Sequence, residues 1–124
     1  MLPIASLTRK PGLTTLSIEL PDNLMAELEL GASVALNGCC LTVTTIVGNE
    51  VTFDVIAESL ALTNLKELEV GSMVNVERSA RGDAEIGGHV LSGHVAGTAK
   101  IVDVKRSENN RRLRFMGNPA WMQY

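Results

Sequence analysis

The chain has 124 residues, 45% of them apolar and 20% charged, with a net charge of −3 at neutral pH. That length and balance suit one ordinary domain with its own core, and the charge gives no overall pull toward nucleic acid or an anionic membrane. No apolar run nears the roughly 20 residues a spanning helix needs, and the N-terminus lacks the basic start and long apolar stretch of a secretory signal. The two cysteines, Cys39 and Cys40, are neighbours and therefore poor disulfide partners. Reduced thiols and a cytoplasmic location are expected, with neither nucleic acid nor membrane as a partner.

Strand signals dominate the chain. Residues 12–20, GLTTLSIEL, alternate apolar and polar side chains and end at Pro21-Asp22. A helix is predicted over 22–27, with Asp22 as its cap. Residues 33–56 hold three β-rich runs, parted by Asn37-Gly38 and Gly48-Asn49, dipeptides suited to the positive φ of tight hairpins. A second helix is predicted over 59–68, capped by Ser59. Further strands are expected over 72–79 and 98–104, and 111–115 would pair back after the polar turn SENN.

AELELGASVAL, from Ala26, and KELEVGSMVNV, from Lys66, share one pattern forty residues apart. Two readings stay open for this echo. It is either a common helix-to-strand turn used twice or the mark of a pseudo-symmetric barrel closed by two like units. Many short strands, hairpin turns and two small helices favour a closed antiparallel barrel, which leaves no exposed sheet edge. The fold class expected is all-β: a six-stranded Greek-key antiparallel barrel with short helices.

Three places carry candidate chemistry. The only histidines, His89 and His94, lie five residues apart and each follows a glycine. Neighbouring cysteines on a strand face opposite ways, so two histidines and one thiol make three ligands at most, and no metal is expected. On the strand after Asn37-Gly38, Cys39, Leu41 and Val43 share the face that reads as core. Cys40, Thr42 and Thr44 share the other, so Cys40 and Thr42 would line a rim. The segment FDVIAES, from Phe53 to Ser59, runs from a strand end into a helix start and gathers Asp54, Glu58 and Ser59. Its bland reading is helix capping; its functional reading is a set of backbone groups that bind the edge of a heterocycle. The basic tail KRSENNRRLRF lacks interleaved aromatics and reads as a solvated hairpin.

NGCCLTV, FDVIAESLALTNL, GSMVNVERS and EIGGHVLSGHVAGTAKI, in that order, resemble the α-chains of riboflavin synthase, members of the lumazine-binding barrel family. The likeness runs nearly ungapped from about Gly12 to Tyr124. It implies two similar six-stranded barrels, a trimeric assembly, and dismutation of two 6,7-dimethyl-8-ribityllumazine molecules to riboflavin and a ribitylamino-pyrimidinedione. No metal or organic cofactor is implied. Substrate contacts carry over to Ser33, Cys40, Leu41 and Thr42, and to Asp54, Val55, Ile56, Ala57, Glu58 and Ser59. Gly93, His94 and Val95 form the hinge contacts, with His89 nearby, and the catalytic roles fall to Cys40 and His94. The rival within the same fold is a non-catalytic lumazine- or flavin-binding protein.

Family members open with a strand reading roughly Met-Phe-Thr-Gly-Ile-Val-Gln-Gly, and this chain starts at MLPIAS and stops at NPAWMQY. Truncation at both ends is therefore expected. Residues 1–89 would form a first barrel lacking that opening strand, and 90–124 the hinge and first hairpin of a second. Such a chain would be weakly active or inactive alone. Because both barrels would begin alike, residues 92–104 are expected to fill the vacant slot, within the chain or in a swapped dimer.

Overall fold

A computed structural model describes residues 1–80, 82 and 87–121, so Glu85 and Ile86 of the histidine motif, and residues 122–124, lie outside the described residues. Residues Leu2–Lys10 form β1, Leu13–Glu19 β2, Ser33–Leu36 β3, Cys39–Val47 β4 and Glu50–Ile56 β5. A split strand follows, with Met73–Val74 as β6 and Val76–Arg78 as β7. The hydrogen-bonded order is β6-β1-β2-β5-β4-β3-β7. Since β6 and β7 are parted only by Asn75, the two ends of this sheet are one broken strand, and the sheet closes on itself. The result is the expected six-stranded antiparallel barrel, with crossings between β2 and β3 and between β5 and β6 that give the Greek-key path.

Period-two alternation decides which side chains fill it. Leu16 and Ile18, Val34 and Leu36, Val51, Phe53 and Val55 are all fully buried, and Leu41 and Val43 nearly so. Each comes from one face of its strand, as the pleat requires. With so few aromatics, Phe53 is the one large ring sealed in the core among the described residues. The turn at Asn37-Gly38 has φ of 50° and 80°, the pair of positive values a two-residue type I′ hairpin demands.

Two helices cross the barrel ends. Asp22–Met25 forms α1 and Ala57–Leu62 forms α2, followed by a 3₁₀ turn over Asn64–Glu67. Both caps differ from expectation. Pro21 and Ile56 occupy the cap positions, neither with a side-chain bond. Asp22 instead accepts from Asn49 Nδ2 at 3.1 Å, tying α1 to the β4–β5 turn. Ser59 sits inside α2, because the helix begins as soon as β5 ends.

Strand β1 was not anticipated. Pro3 and a bulge between Ile4 and Ser6 break its alternation, and only Ile4 is buried, so the run reads poorly as a strand. It fills the place between β2 and β6, leaving no vacant slot. Residues 92–104 therefore do not enter the sheet: Lys100–Arg106, β8, pairs with Arg111–Met116, β9, as a separate hairpin.

The echo between Ala26 and Lys66 is structural. Gly31 N–H donates to Val43 O and Val43 N–H to Ala32 O; Gly71 N–H donates to Ile4 O and Ile4 N–H to Ser72 O. The bulge at Ile4/Ser6 has its twin at Val43/Thr45. The barrel is thus two like halves, β1-β2-α1-β3 and β4-β5-α2-β6/β7, related by an internal two-fold. The halves differ at one connection: residues 20–32 span thirteen positions, residues 57–72 sixteen. Replacing Phe53 with alanine should lower unfolding free energy by about 3–5 kcal/mol in a urea titration, the usual range for an aromatic lost from a packed core.

Candidate functional site

The rim where β4 begins and β5 ends carries the candidate chemistry. Alternation along β4 buries Cys39, Leu41 and Val43 and turns Cys40 outward, half-buried, with Thr42 exposed. Over this rim runs the segment 93–95. Cys40 N–H donates to Gly93 O at 2.9 Å, and Val95 packs against the core. Gly93 has φ of 69°, and a Cβ there would stand 3.1 Å from Cys40 Cβ and 3.4 Å from Gly38 O. Only glycine meets both the conformation and the close approach.

This strap separates two clefts that share Cys40 as a wall. The larger, about 530 Å³, lies toward β3 and β7 and is lined by Ala35, Gly38 and 77–80 together with 89–95. The smaller, about 180 Å³, lies toward α2 and gathers Cys39, Cys40, Glu58, Ser59, Leu62 and Thr63 with Gly93, His94 and Val95. The larger is roomier. Both hold thiol, carboxylate, hydroxyl and imidazole, the larger through Cys40, Glu77, Ser79, Ser92, His89 and His94. The smaller is taken as the candidate because it joins the β4 thiol, the Glu58–Ser59 corner of α2 and the 93–95 strap, the three segments singled out in the sequence.

Of the residues expected here, Cys40, Glu58, Ser59, Gly93, His94 and Val95 meet in the smaller cleft. His89 lines only the larger one. Ser33, Leu41, Thr42, Asp54, Val55, Ile56 and Ala57 line neither. Leu41 and Val55 point into the core, so only their backbones could touch a ligand. Ser33 pairs with Thr42 across β3 and β4. Asp54 accepts from Thr15 Oγ1 at 2.6 Å, on the outer face of the barrel, while Ile56 and Ala57 are exposed at the corner.

Cys39, Leu62 and Thr63 escaped the sequence reading. The signal was present for two of them: Ser59, Leu62 and Thr63 stand at i, i+3 and i+4 and so share a helical face. Thr63 is buried, donates to Ser59 O at 2.6 Å and accepts from Leu65 N–H at 3.2 Å. Among the described residues, no three His, Cys, Asp or Glu side chains cluster to hold a metal ion. No helix among them is long and apolar enough to cross a membrane.

The two thiols differ in kind. Burial, and secondarily the Cys40 thiol beside it, push Cys39 above the ordinary value of 9.0. Cys39 is 6% exposed, whereas Cys40 opens on both clefts.

Residues 1–79 match the model of the family described as the lumazine binding domain. The chain belongs to the lumazine-binding domain family. The riboflavin synthase of Escherichia coli (strain K12) is 53% identical to it over 112 residues, which is 90% of this chain and 53% of that protein. The riboflavin synthase of Bacillus subtilis (strain 168) is 43% identical over 86 residues, 69% of this chain and 40% of that one. The chain thus spans about half the length of the curated relatives it matches. Among solved structures, LumP complexed with 6,7-dimethyl-8-(1'-D-ribityl) lumazine superposes with a TM-score of 0.77 at 28% identity, over 90% of this chain and 62% of that one. LumP complexed with riboflavin gives 0.76 at the same identity.

The lumazine-binding barrel should show this thiol asymmetry in its chemistry. Iodoacetamide at pH 8 should label Cys40 at least several-fold faster than Cys39, read by peptide mass spectrometry. Because the folded state holds the Cys39 proton more tightly than the unfolded chain, its contribution to stability is intact below pH 9.0. That contribution is lost as pH rises through the higher folded value, so melting temperature should fall on that alkaline limb. Cys39→Ala should flatten the fall.

Proposed function

We propose that this chain is the lumazine-binding barrel of a riboflavin synthase, acting on 6,7-dimethyl-8-ribityllumazine. The observation that carries the reading is the convergence of Cys40, the Glu58–Ser59 turn of α2 and His94 on one small cleft. Identity of 53% to a riboflavin synthase over 90% of the chain supports the same assignment.

The reaction sets the demands on the site. Two lumazine molecules meet, and one passes a four-carbon unit to the other, giving riboflavin and a ribitylamino-pyrimidinedione. The two lumazines supply every atom of both products, and the protons shed as the new ring closes return to the pyrimidinedione nitrogens, so no outside oxidant or reductant enters the balance. A ring methyl of one lumazine must lose a proton, and the electron pair left behind spreads into the ring. We assign the uptake of that proton to His94, which lines the cleft. Cys40 serves the acceptor ring. Either its sulfur bonds to the ring while the thiol proton passes to a ring nitrogen, or it orients the water that adds, and the adduct is expelled after the carbon–carbon bond forms. Holding two flat rings at reacting distance supplies much of the acceleration. One barrel presents one such cleft, so turnover calls for two barrels, and we assign the active form to a homo-oligomer, a trimer in keeping with the resemblance, in the cytoplasm.

A second reading rests on the likeness to LumP, whose solved complexes hold lumazine, riboflavin and flavin mononucleotide. In it the barrel binds and does not turn over. The intact Cys39-Cys40-Leu41-Thr42 run favours the enzyme.

Titration with lumazine, followed by its fluorescence, should saturate. Incubation with excess lumazine should then yield the yellow-green emission of riboflavin. Cys40→Ser and His94→Ala should each slow that product by roughly 100-fold or more, in the range removed with an acid–base or nucleophilic group. Binding without product at any protein concentration would leave the binder. Absence of binding would end both readings.

A further inference from the structure

The smaller cleft lies where the barrel departs from its own symmetry. The two halves match in strands, bulges and the hydrogen bonds that close them, yet the connection after β5 is three residues longer than the one after β2. Part of the extra length goes into α2, which has six residues against four in α1. Glu58, Ser59 and Leu62, the α2 wall of the cleft, all stand on this added helix.

So short a helix does not hold itself in place. No side chain caps its start, and none of its residues is fully buried. Leu60 packs against the core, and the end of the helix is tied by one hydroxyl. Thr63 Oγ1 donates to Ser59 O at 2.6 Å and accepts from Leu65 N–H at 3.2 Å, joining the last turn of α2 to the 3₁₀ turn that follows. Leu65 in that turn is 1% exposed and anchored in the core. The chain is extended at Thr63, with φ of −131°, so the two helical pieces share no continuous ladder there. In the first half, α1 is steadied from outside, where Arg78 Nη1 donates to Leu24 O at 2.6 Å and Ala26 O at 3.3 Å.

We propose that Thr63 is a positioning residue of the ligand cleft, its hydroxyl tying α2 to the core-anchored Leu65 turn so that Glu58 and Ser59 face Cys40 and His94. The consequence for lumazine rests on the function proposed above; the consequence for the cleft wall does not. The valine variant keeps the shape and loses both hydrogen bonds, whereas serine keeps them.

Two readouts separate these consequences in the full chain: the lumazine dissociation constant by fluorescence, and the rate at which iodoacetamide labels Cys40. Thr63→Val should weaken lumazine binding at least 10-fold and speed Cys40 labelling at least threefold. Thr63→Ser should stay within twofold of the parent in both. Ser17→Ala, which removes a buried hydroxyl at the far end of the barrel, sets the level of general softening at matched loss of melting temperature. Unchanged labelling in Thr63→Val, an equal change in Ser17→Ala, or failure of serine to rescue would each overturn the proposal. If the parent binds no lumazine, the functional reading falls and the labelling arm alone decides. If Thr63→Val does not fold, Thr63→Ala replaces it under the same criteria.

Discussion

The hydrogen bond from Cys40 N–H to the Gly93 carbonyl is the contact on which the rest of the site depends. It lays residues 93–95 across the rim, sets His94 beside the thiol-bearing strand, and divides the surrounding space into two clefts. It is possible only because Gly93 lacks a side chain and adopts a positive φ, with Cys40 Cβ close behind. A net backbone hydrogen bond is worth only about 0.5–1.5 kcal/mol, so the strap is held by that bond together with the packing of Val95. Such a holding is firm enough to form a wall and light enough to admit a ligand.

The barrel supplies the rigid ground for this arrangement. Its two like halves bury one face of every strand, and closure through the broken β6/β7 strand leaves the sheet without a free edge. What differs between the halves is what the site uses. The longer connection after β5 provides α2, and the thiols belong to the opening of β4, whose counterpart in the other half is the opening of β1. The function proposed here therefore occupies the asymmetric part of a nearly symmetric scaffold.

Much of this was legible in the residues. Alternation placed Cys39, Leu41 and Val43 inward and Cys40 outward, and Asn37-Gly38 located the hairpin before them. The forty-residue echo left two readings open, between which the paired bulges and closing hydrogen bonds decide for the two-fold. Other features were hidden for definite reasons. Bulging and Pro3 masked β1, since a strand is read by a period that a bulge interrupts. Capping rules misassigned Asp22 and Ser59: Pro21 takes the cap position of α1 and Asp22 is engaged by Asn49, while α2 starts directly where β5 ends and Ser59 lies inside it. Thr63 looked like an ordinary polar residue, as nothing in local sequence shows that its hydroxyl joins two helical pieces. The motif resemblance pointed to thirteen contact positions besides His89. The geometry separates six that meet in the smaller cleft from seven, such as Val55 and Asp54, that lie in the core or on the outer wall.

The central claim is that thiol strand, α2 corner and histidine strap form a single binding surface. Backbone amide NMR of the full chain, recorded with and without 6,7-dimethyl-8-ribityllumazine, tests it most directly. The account predicts shift changes concentrated at Cys39–Cys40, Glu58–Thr63 and Gly93–Val95, with the Gly48 turn at the opposite end undisturbed. Changes confined to one of those three segments, or centred on the far end of the barrel, would contradict it.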